Sequence, residues 1–107
     1  MKEKIKVIRL RPGEDAELVE VRNTLQALQT EVGGFIETLT AQHNTVIICN
    51  EEGRLLGLPY NVSIGGIPFY GTILIAGADP KTCEFTDVSL KGIITDQEGE
   101  DVDERAD

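Results

Sequence analysis

The sequence lacks tryptophan, is poor in other aromatic residues, and contains one histidine and two cysteines. Aromatic residues make up only 5% of the 107 residues, so a core has to be built from isoleucine, leucine and valine. A zinc site needs three or four His, Cys or carboxylate ligands. One histidine and two widely separated cysteines do not supply that set, and we predict neither a metal site nor a cofactor. Cys49, in the apolar run TVIIC, is predicted to be a buried core residue, and Cys83 an exposed residue of a polar loop.

Recognisable catalytic groups are also missing. Nucleophilic catalysis needs a nucleophile, a base that takes its proton and a group that orients the base, but His43 stands alone in a predicted turn. The glycine-rich segment GGIPFYG lacks the lysine and the Ser/Thr of a phosphate-binding loop. Adjacent Glu51 and Glu52 would point apart on an extended chain. We predict that the protein is not an enzyme and has no catalytic residues.

Long hydrophobic runs are absent. No stretch approaches the roughly 20 apolar residues that span a bilayer, and the N-terminal residues MKEKIKVIRL lack the apolar core of a secretory signal. We therefore expect a cytoplasmic protein without membrane contact.

Positive charge is scarce, and the excess of acid is concentrated at one end. The net charge is −9, of which −6 falls on residues 96–107. We predict a single domain over residues 1–95 followed by a disordered acidic tail over 96–107, because such a composition buries little apolar surface. The tail is either a solubilising end, an interaction segment or a mimic of nucleic-acid charge. Direct nucleic-acid binding is disfavoured, since phosphate contacts need dense positive charge.

The residues that are present predict an α+β fold. Ile5 and Val7 alternate with lysines in the first strand, and AELVEVR predicts a second strand that forms a hairpin with it. We interpret the lysines as protection of an edge strand, with its Lys2–Leu10 edge open to self-association. The segment Thr24–Val32 predicts a helix, with Thr24 or Asn23 as cap and Gly33 or Gly34 as stop signal.

Three further strands are predicted, FIETLTA, TVIICN and TILIA, of which TVIICN is expected to be buried. The segment around Leu90–Ile94 predicts a short C-terminal helix. The predicted fold is a mostly antiparallel sheet of about five strands with one helix packed on one face.

The stretch ICNEEGRLLGLPYN, residues Ile48–Asn61, is the best candidate for a contact surface. It predicts a strand end, a turn, and then either a short helical turn ending at Gly57 or an extended connection. Asparagine side chains both donate and accept hydrogen bonds, and a tyrosine can stack on a base. Glu37 shares a strand face with apolar residues and is predicted to be partly buried. The candidate binding residues are Glu37, Asn50, Arg54, Tyr60 and Asn61.

In order and spacing, four segments resemble a small uncharacterised family, a domain of unknown function. They are IKVIRLRPGE, RNTLQALQTEVGGFIE, ICNEEGRLLGLPYN and GTILIAGAD. The resemblance covers about residues 3–90 and implies a protein of phages, plasmids or conjugative elements. It implies no enzymatic activity, and some relatives of the family are linked to anti-CRISPR activity. At Ile64–Tyr70 the chain has a compact turn where the family pattern would have a longer, more acidic insert.

Three functions follow as hypotheses. The first is a non-enzymatic protein that binds and inhibits a host defence protein, of anti-CRISPR or anti-restriction type. The second is a protein that binds or sequesters a small nucleotide ligand. The third is a structural or assembly protein, and the sequence leaves the oligomeric state open.

Overall fold

Residues 3–89 are described by the computed structural model, and they form eight strands and one helix. The predicted C-terminal helix and the acidic tail lie outside these residues. The elements are β1 (Lys4–Leu10), β2 (Glu17–Arg22), α1 (Leu25–Val32), β3 (Ile36–Ala41), β4 (Thr45–Asn50), β5 (Tyr60–Ile64), β6 (Ile67–Tyr70), β7 (Ile73–Ala78) and β8 (Phe85–Thr86).

Six of the strands form one sheet in the order β2-β1-β7-β4-β3, with β8 also paired to β7. Every pairing in this sheet is antiparallel. The predicted α+β class, with a mostly antiparallel sheet and one helix, is therefore confirmed. All six residues of β4 are buried, as the β-branched run predicted.

The prediction that the first strand lies at an edge is wrong. β1 pairs with β2 on one side and with β7 on the other. On the β7 side, Lys6 is also bonded to the segment after β8, where the amide of Val88 donates to the carbonyl of Lys6 at 2.8 Å. The described β1 is therefore an inner strand of the sheet.

The helix covers one face of the sheet. The Thr24 hydroxyl accepts a hydrogen bond from the Ala27 amide at 3.1 Å, and Gly33 ends the helix at φ 80°. Both features match the sequence prediction. Leu28 and Val32 are buried against strand residues that include Ile5 and Ile48. Leu25, the first residue of the helix, is exposed.

The hairpin formed by β5 and β6 covers part of the other face. Its two-residue turn consists of Gly65 and Gly66, both with positive φ, which is the geometry of tight hairpins. Phe69 of the hairpin packs on Ile47 and Cys49 of β4. The sequence predicted only a glycine-rich turn here, so the second layer was missed.

Charged residues join β1, β2 and α1 at one end of the sheet. Arg9 Nη1 lies 3.0 Å from Glu31 Oε1, and Arg9 Nε lies 3.4 Å from Glu17 Oε2. The hydrogen bond to Glu31, together with that to Glu17, raises the pKa of the Arg9 guanidinium above its ordinary value. The network holds the helix against the first hairpin.

Candidate functional site

A pocket of about 220 Å³ lies between β6 and the ends of β3 and β4, on the face that the hairpin covers. β3 contributes Glu37 and Leu39 to its lining, and β4 contributes Cys49 and Asn50. The segment after β4 and the whole of β6 complete it. These further lining residues are Glu51, Gly53, Arg54, Ile67, Pro68, Phe69 and Tyr70.

Strand register positions the floor of the pocket. Glu37 pairs with Cys49, and Leu39 pairs with Ile47, so these side chains project from one face of the sheet. Leu39 packs on the same small core as Phe69. Because β3 is the last strand of the sheet, the pocket reaches the sheet margin.

A glycine lets the segment after β4 approach the hairpin. A Cβ atom at Gly53 would lie 2.7 Å from the carbonyl oxygen of Tyr70. The chain then forms a helical turn, in which the Leu56 amide donates to the Glu52 carbonyl at 2.8 Å and Gly57 adopts φ 74°. Of the two conformations left open by the sequence, the helical turn ending at Gly57 is the one observed.

Two tyrosines and an arginine form an aromatic group at one end of the pocket. The rings of Tyr60 and Tyr70 meet edge to face, with centroids 5.8 Å apart. The Arg54 guanidinium carbon lies 5.9 Å from the Tyr70 centroid, which is within cation–π range. The Tyr60 hydroxyl is hydrogen-bonded to Ser63 at 2.9 Å. A flat ligand or an apolar side chain could pack against this group.

Asn50 is a buried hydrogen-bonding residue at the end of β4. Its Nδ2 donates to the carbonyl of Val32 at 3.1 Å, and its Oδ1 accepts from the amide of Glu52 at 2.7 Å. Through these bonds one side chain ties the end of α1 to the turn after β4. Gly34 gives it room, since a Cβ atom there would lie 2.8 Å from Nδ2.

Asn61, in β5, also uses its side-chain amide to join separate parts of the backbone. Its Nδ2 donates to the carbonyl oxygens of Leu10 at 2.9 Å and Gly71 at 2.8 Å. It therefore fastens the hairpin to the end of β1. Asn61 is not among the residues that line the pocket.

Glu37 is exposed, so the prediction of a partly buried carboxylate is wrong. It forms no ion pair within residues 3–89, and neither does Glu51 or Glu52. Glu37 and Glu51 line the pocket and Glu52 follows Glu51, so three carboxylates stand against the one cation, Arg54, and the charge of this group is net negative.

Cys49 is a buried thiol in the pocket floor. Burial, helped by the nearby charge of Glu37, raises its pKa from 9.0 to about 11. Its Sγ lies 3.5 Å from the carbonyl oxygen of Glu37, to which it donates. The thiol stays protonated at neutral pH and is a weak nucleophile. Cys83 is exposed, and both cysteines are free, as the sequence predicted.

The structure brings together three of the five predicted site residues. Glu37, Asn50 and Arg54 line the pocket, and Tyr60 adjoins it through Tyr70. Asn61 stands apart. The sequence did not predict the β5–β6 hairpin, which forms one wall of the pocket. Its only signal in the sequence was a pair of glycines between two short apolar runs.

Exposed large apolar side chains occur on the segments that line or adjoin the pocket. We name five of them the apolar rim: Phe35, Leu55, Leu56, Tyr60 and Ile67. Leu55 and Leu56 directly follow Arg54, Ile67 lines the pocket, and the carbonyl of Phe35 accepts from the amide of Glu51 at 2.8 Å. The other exposed large apolar residues of the described chain are Leu18 and Leu25.

Residues 3–89 hold no group of three or more His, Cys, Asp or Glu side chains arranged to bind a metal ion. No helix in this part of the chain has the length and apolar character needed to cross a membrane.

Comparison with known proteins gave one match. The model of a family described as a domain of unknown function, DUF3846, matches residues 5–98. Neither the curated proteins nor the solved structures include a match to this chain.

Proposed function

The chain belongs to the DUF3846 family, a domain of unknown function, and we propose that it is a non-enzymatic protein that binds and inhibits a host defence protein. The proposed partner is a CRISPR or restriction nuclease, and the proposed place of action is the cytoplasm of a bacterial host carrying a phage or another mobile element. The partner class rests on the sequence resemblance. The mode of action, protein binding, rests on the apolar rim.

The apolar rim is the observation that carries the proposal. Leu55 and Leu56 are adjacent and expose 86% and 57% of their surface, and Phe35 exposes 68%. Clustered exposed apolar side chains mark interaction surfaces in soluble proteins, whereas scattered ones do not. Aromatic anchors such as Tyr60 are typical of the centres of such interfaces. A protein partner would remove this surface from water.

The size of the pocket supports a protein partner over a small molecule. Small-molecule sites are usually clefts of about 300–1,000 Å³, and this pocket measures about 220 Å³. It is large enough for one or two side chains of a partner protein. The apolar rim and the pocket together would then form one contact surface.

Charge supports the partner class. The chain carries a net charge of −9, and nucleases bind nucleic acid through basic channels. Electrostatic complementarity of this kind accelerates association and favours correct partners. It adds to a specific apolar contact and does not replace one.

The experiment compares two double variants of the full chain. Leu55→Asp with Leu56→Asp charges the rim, and Leu18→Asp with Leu25→Asp is the matched control because these leucines are similarly exposed elsewhere, at 54% and 59%. Each protein is added to purified CRISPR and restriction nucleases from a candidate host. DNA cleavage and direct binding are measured, with thermal unfolding to verify the fold.

We expect the rim variant to lose inhibition of a nuclease by at least about tenfold, the cost of charging an interface residue being more than about 1.4 kcal/mol. The control should inhibit like the unchanged protein. Equal inhibition by both variants would remove the apolar rim from the mechanism. If the unchanged protein binds and inhibits none of the nucleases, the counter-defence proposal fails.

A nucleotide ligand is a second candidate function, favoured by the aromatic group. Tyr60, Tyr70 and Arg54 offer the stacking and cation–π contacts that bases use. The test is a thermal-shift and calorimetric screen of linear and cyclic nucleotides against the protein and its Tyr60→Ala variant. Stabilisation that disappears in the variant would support this function, and no stabilisation by any nucleotide would count against it.

A further inference from the structure

β3 leaves one edge of the sheet open. Within residues 3–89 it pairs with β4 alone. The Phe35 carbonyl accepts from the Glu51 amide, and hydrogen-bonded pairs alternate along an antiparallel ladder. The backbone groups of Ile36, Thr38 and Thr40 therefore point away from β4. Each of these residues offers one donor and one acceptor to an incoming strand.

The two edges of the sheet are protected to different degrees. Edge strands usually carry charges, proline or a bulge that discourage further pairing. β2, at the opposite edge, has three charged residues in ELVEVR. β3 has only Glu37 in IETLTA, contains no proline, and pairs with β4 in unbroken register. β3 is the less protected edge.

The pocket adjoins this open edge. Glu37 and Leu39 of β3 line it, and Ile67 and Pro68 form the facing wall. In a strand added beside β3, every second side chain would project from the same face as Glu37 and Leu39. One of these side chains would meet the pocket opening, so backbone pairing and side-chain insertion can occur together.

The negative charges near the β3 edge favour a basic segment as the added strand. Glu37, Glu51 and Glu52 have no ion-pair partners within the described residues. An added strand with lysine or arginine beside its apolar residues would neutralise them. A second copy of this chain is a poor occupant, since each copy carries a net charge of −9.

We propose that β3 is a docking edge for an extended, basic segment of a partner protein, which joins the sheet as an additional strand and inserts an apolar side chain into the pocket. This mode of recognition draws affinity from main-chain hydrogen bonds and specificity from alternate side chains. It rests on the proposed protein-binding function and adds to it the binding mode and the chemistry of the partner segment.

The first part of the test uses three synthetic peptides and the isotope-labelled full chain. The first peptide has about seven residues, a strand length, with valine and lysine at the alternate positions that share one face and threonine at the positions between them. The second has the same side chains with every backbone amide N-methylated, so that neither edge can donate, and the third carries glutamate in place of lysine. Amide NMR shifts are followed during each titration.

The first peptide should bind with a Kd on the order of 100 μM or tighter and shift the amides of Ile36, Thr38 and Thr40. The N-methylated and acidic peptides should bind at least about tenfold more weakly, because they lose hydrogen bonds or charge complementarity. The N-methylated peptide leaves the protein unchanged, so its result does not depend on the folding of a variant.

The second part places proline at matched positions of the two edges. The amide of Thr38 points away from β4, and proline is tolerated at such edge positions. Glu20 is the matching position in β2. The Asn23 amide donates to the Glu3 carbonyl, so Asn23 and every second residue before it bond to β1. Glu20 lies between these residues, and its amide therefore points away from β1. Thr38→Pro should weaken binding of the basic peptide at least about tenfold, and Glu20→Pro should leave it unchanged.

Several outcomes would overturn the docking edge. They are no binding of the basic peptide at about 1 mM, equal binding of the N-methylated peptide, and shifts confined to β2. A dimer in sedimentation that Thr38→Pro abolishes would assign the edge to a second copy instead. None of these outcomes touches the proposed function, which the rim variants test separately.

Discussion

Replacement of Asn50 by alanine tests whether this residue serves the fold or a ligand. Asn50 is buried, and its amide bonds the Val32 carbonyl and the Glu52 amide at 3.1 and 2.7 Å. Alanine removes both hydrogen bonds and leaves a carbonyl and an N–H without their protein partner. If Asn50 were mainly a contact residue, its loss would weaken binding and hardly change stability.

The expected cost follows from the two bonds. Each contributes about 0.5–1.5 kcal/mol net, and a buried polar group left without a partner costs about 1–3 kcal/mol. We expect Asn50→Ala to lower the free energy of unfolding by about 2–4 kcal/mol. In a domain of this size that corresponds to a fall in Tm of more than about 10 °C.

The assay is urea and thermal unfolding of the full chain, with Gln42→Ala in the exposed β3–β4 turn as control. The control should change the free energy of unfolding by less than about 0.5 kcal/mol. Asn50→Asp adds a second check. Its buried carboxylate would face the Val32 carbonyl, so its folded-state pKa should exceed the unfolded value of about 3.9.

The sign of the pH dependence then follows. A raised folded-state pKa means that the folded protein binds its proton more tightly, so stability falls as the pH rises above the unfolded pKa. Asn50→Asp should be strongly destabilised at pH 7 and partly recover near pH 4, relative to the unchanged protein. A Tm of Asn50→Ala within about 2 °C of the unchanged protein would refute this account of Asn50.

Three further predictions concern the ion pairs, the buried thiol and the glycine beside the hairpin. Glu31→Gln breaks the 3.0 Å ion pair with the partly buried Arg9. In urea unfolding it should lower the free energy of unfolding by about 1 kcal/mol. The control Glu14→Gln, at an exposed ion pair with Arg11, should change this free energy little. Because the pKa of Cys49 is raised from 9.0 to about 11, stability should fall by about 2 kcal/mol between pH 9 and 11; equal falls in Cys49→Ala and the unchanged protein would contradict this. Gly53→Ala should lower the Tm and shift the β6 amides in NMR, since its Cβ would lie 2.7 Å from a backbone oxygen.

Local periodicity was enough to predict most elements along the chain. The helix is capped by Thr24, one of the two predicted caps, and stopped by Gly33, one of the two predicted stops, because these signals act over a few residues. β4 was predicted to be buried from its β-branched composition, and it is. The β5–β6 hairpin was missed because Pro59 and Pro68 interrupt its strand pattern. Pro68 is accommodated because the hairpin has only two strands, so β6 has an unpaired side.

Strand order was not predictable in the same way. The lysines of β1 indicate that one face of the strand is wet, and they were interpreted as marking an open edge. Faces and edges are perpendicular, so a strand can expose one face and still pair on both sides. β7 enters between β1 and β4, and that insertion depends on contacts distant in sequence.

The two asparagines show why a candidate site was placed partly on structural residues. An amide that donates and accepts is suited to a ligand, but equally to backbone groups left over where elements meet. Asn50 serves the end of α1, and Asn61 serves the junction of the hairpin with β1. Residues with no such internal task are the better candidates for contact. By that criterion the exposed Glu37, the leucines of the apolar rim and the outward backbone of β3 are the groups still available to a partner.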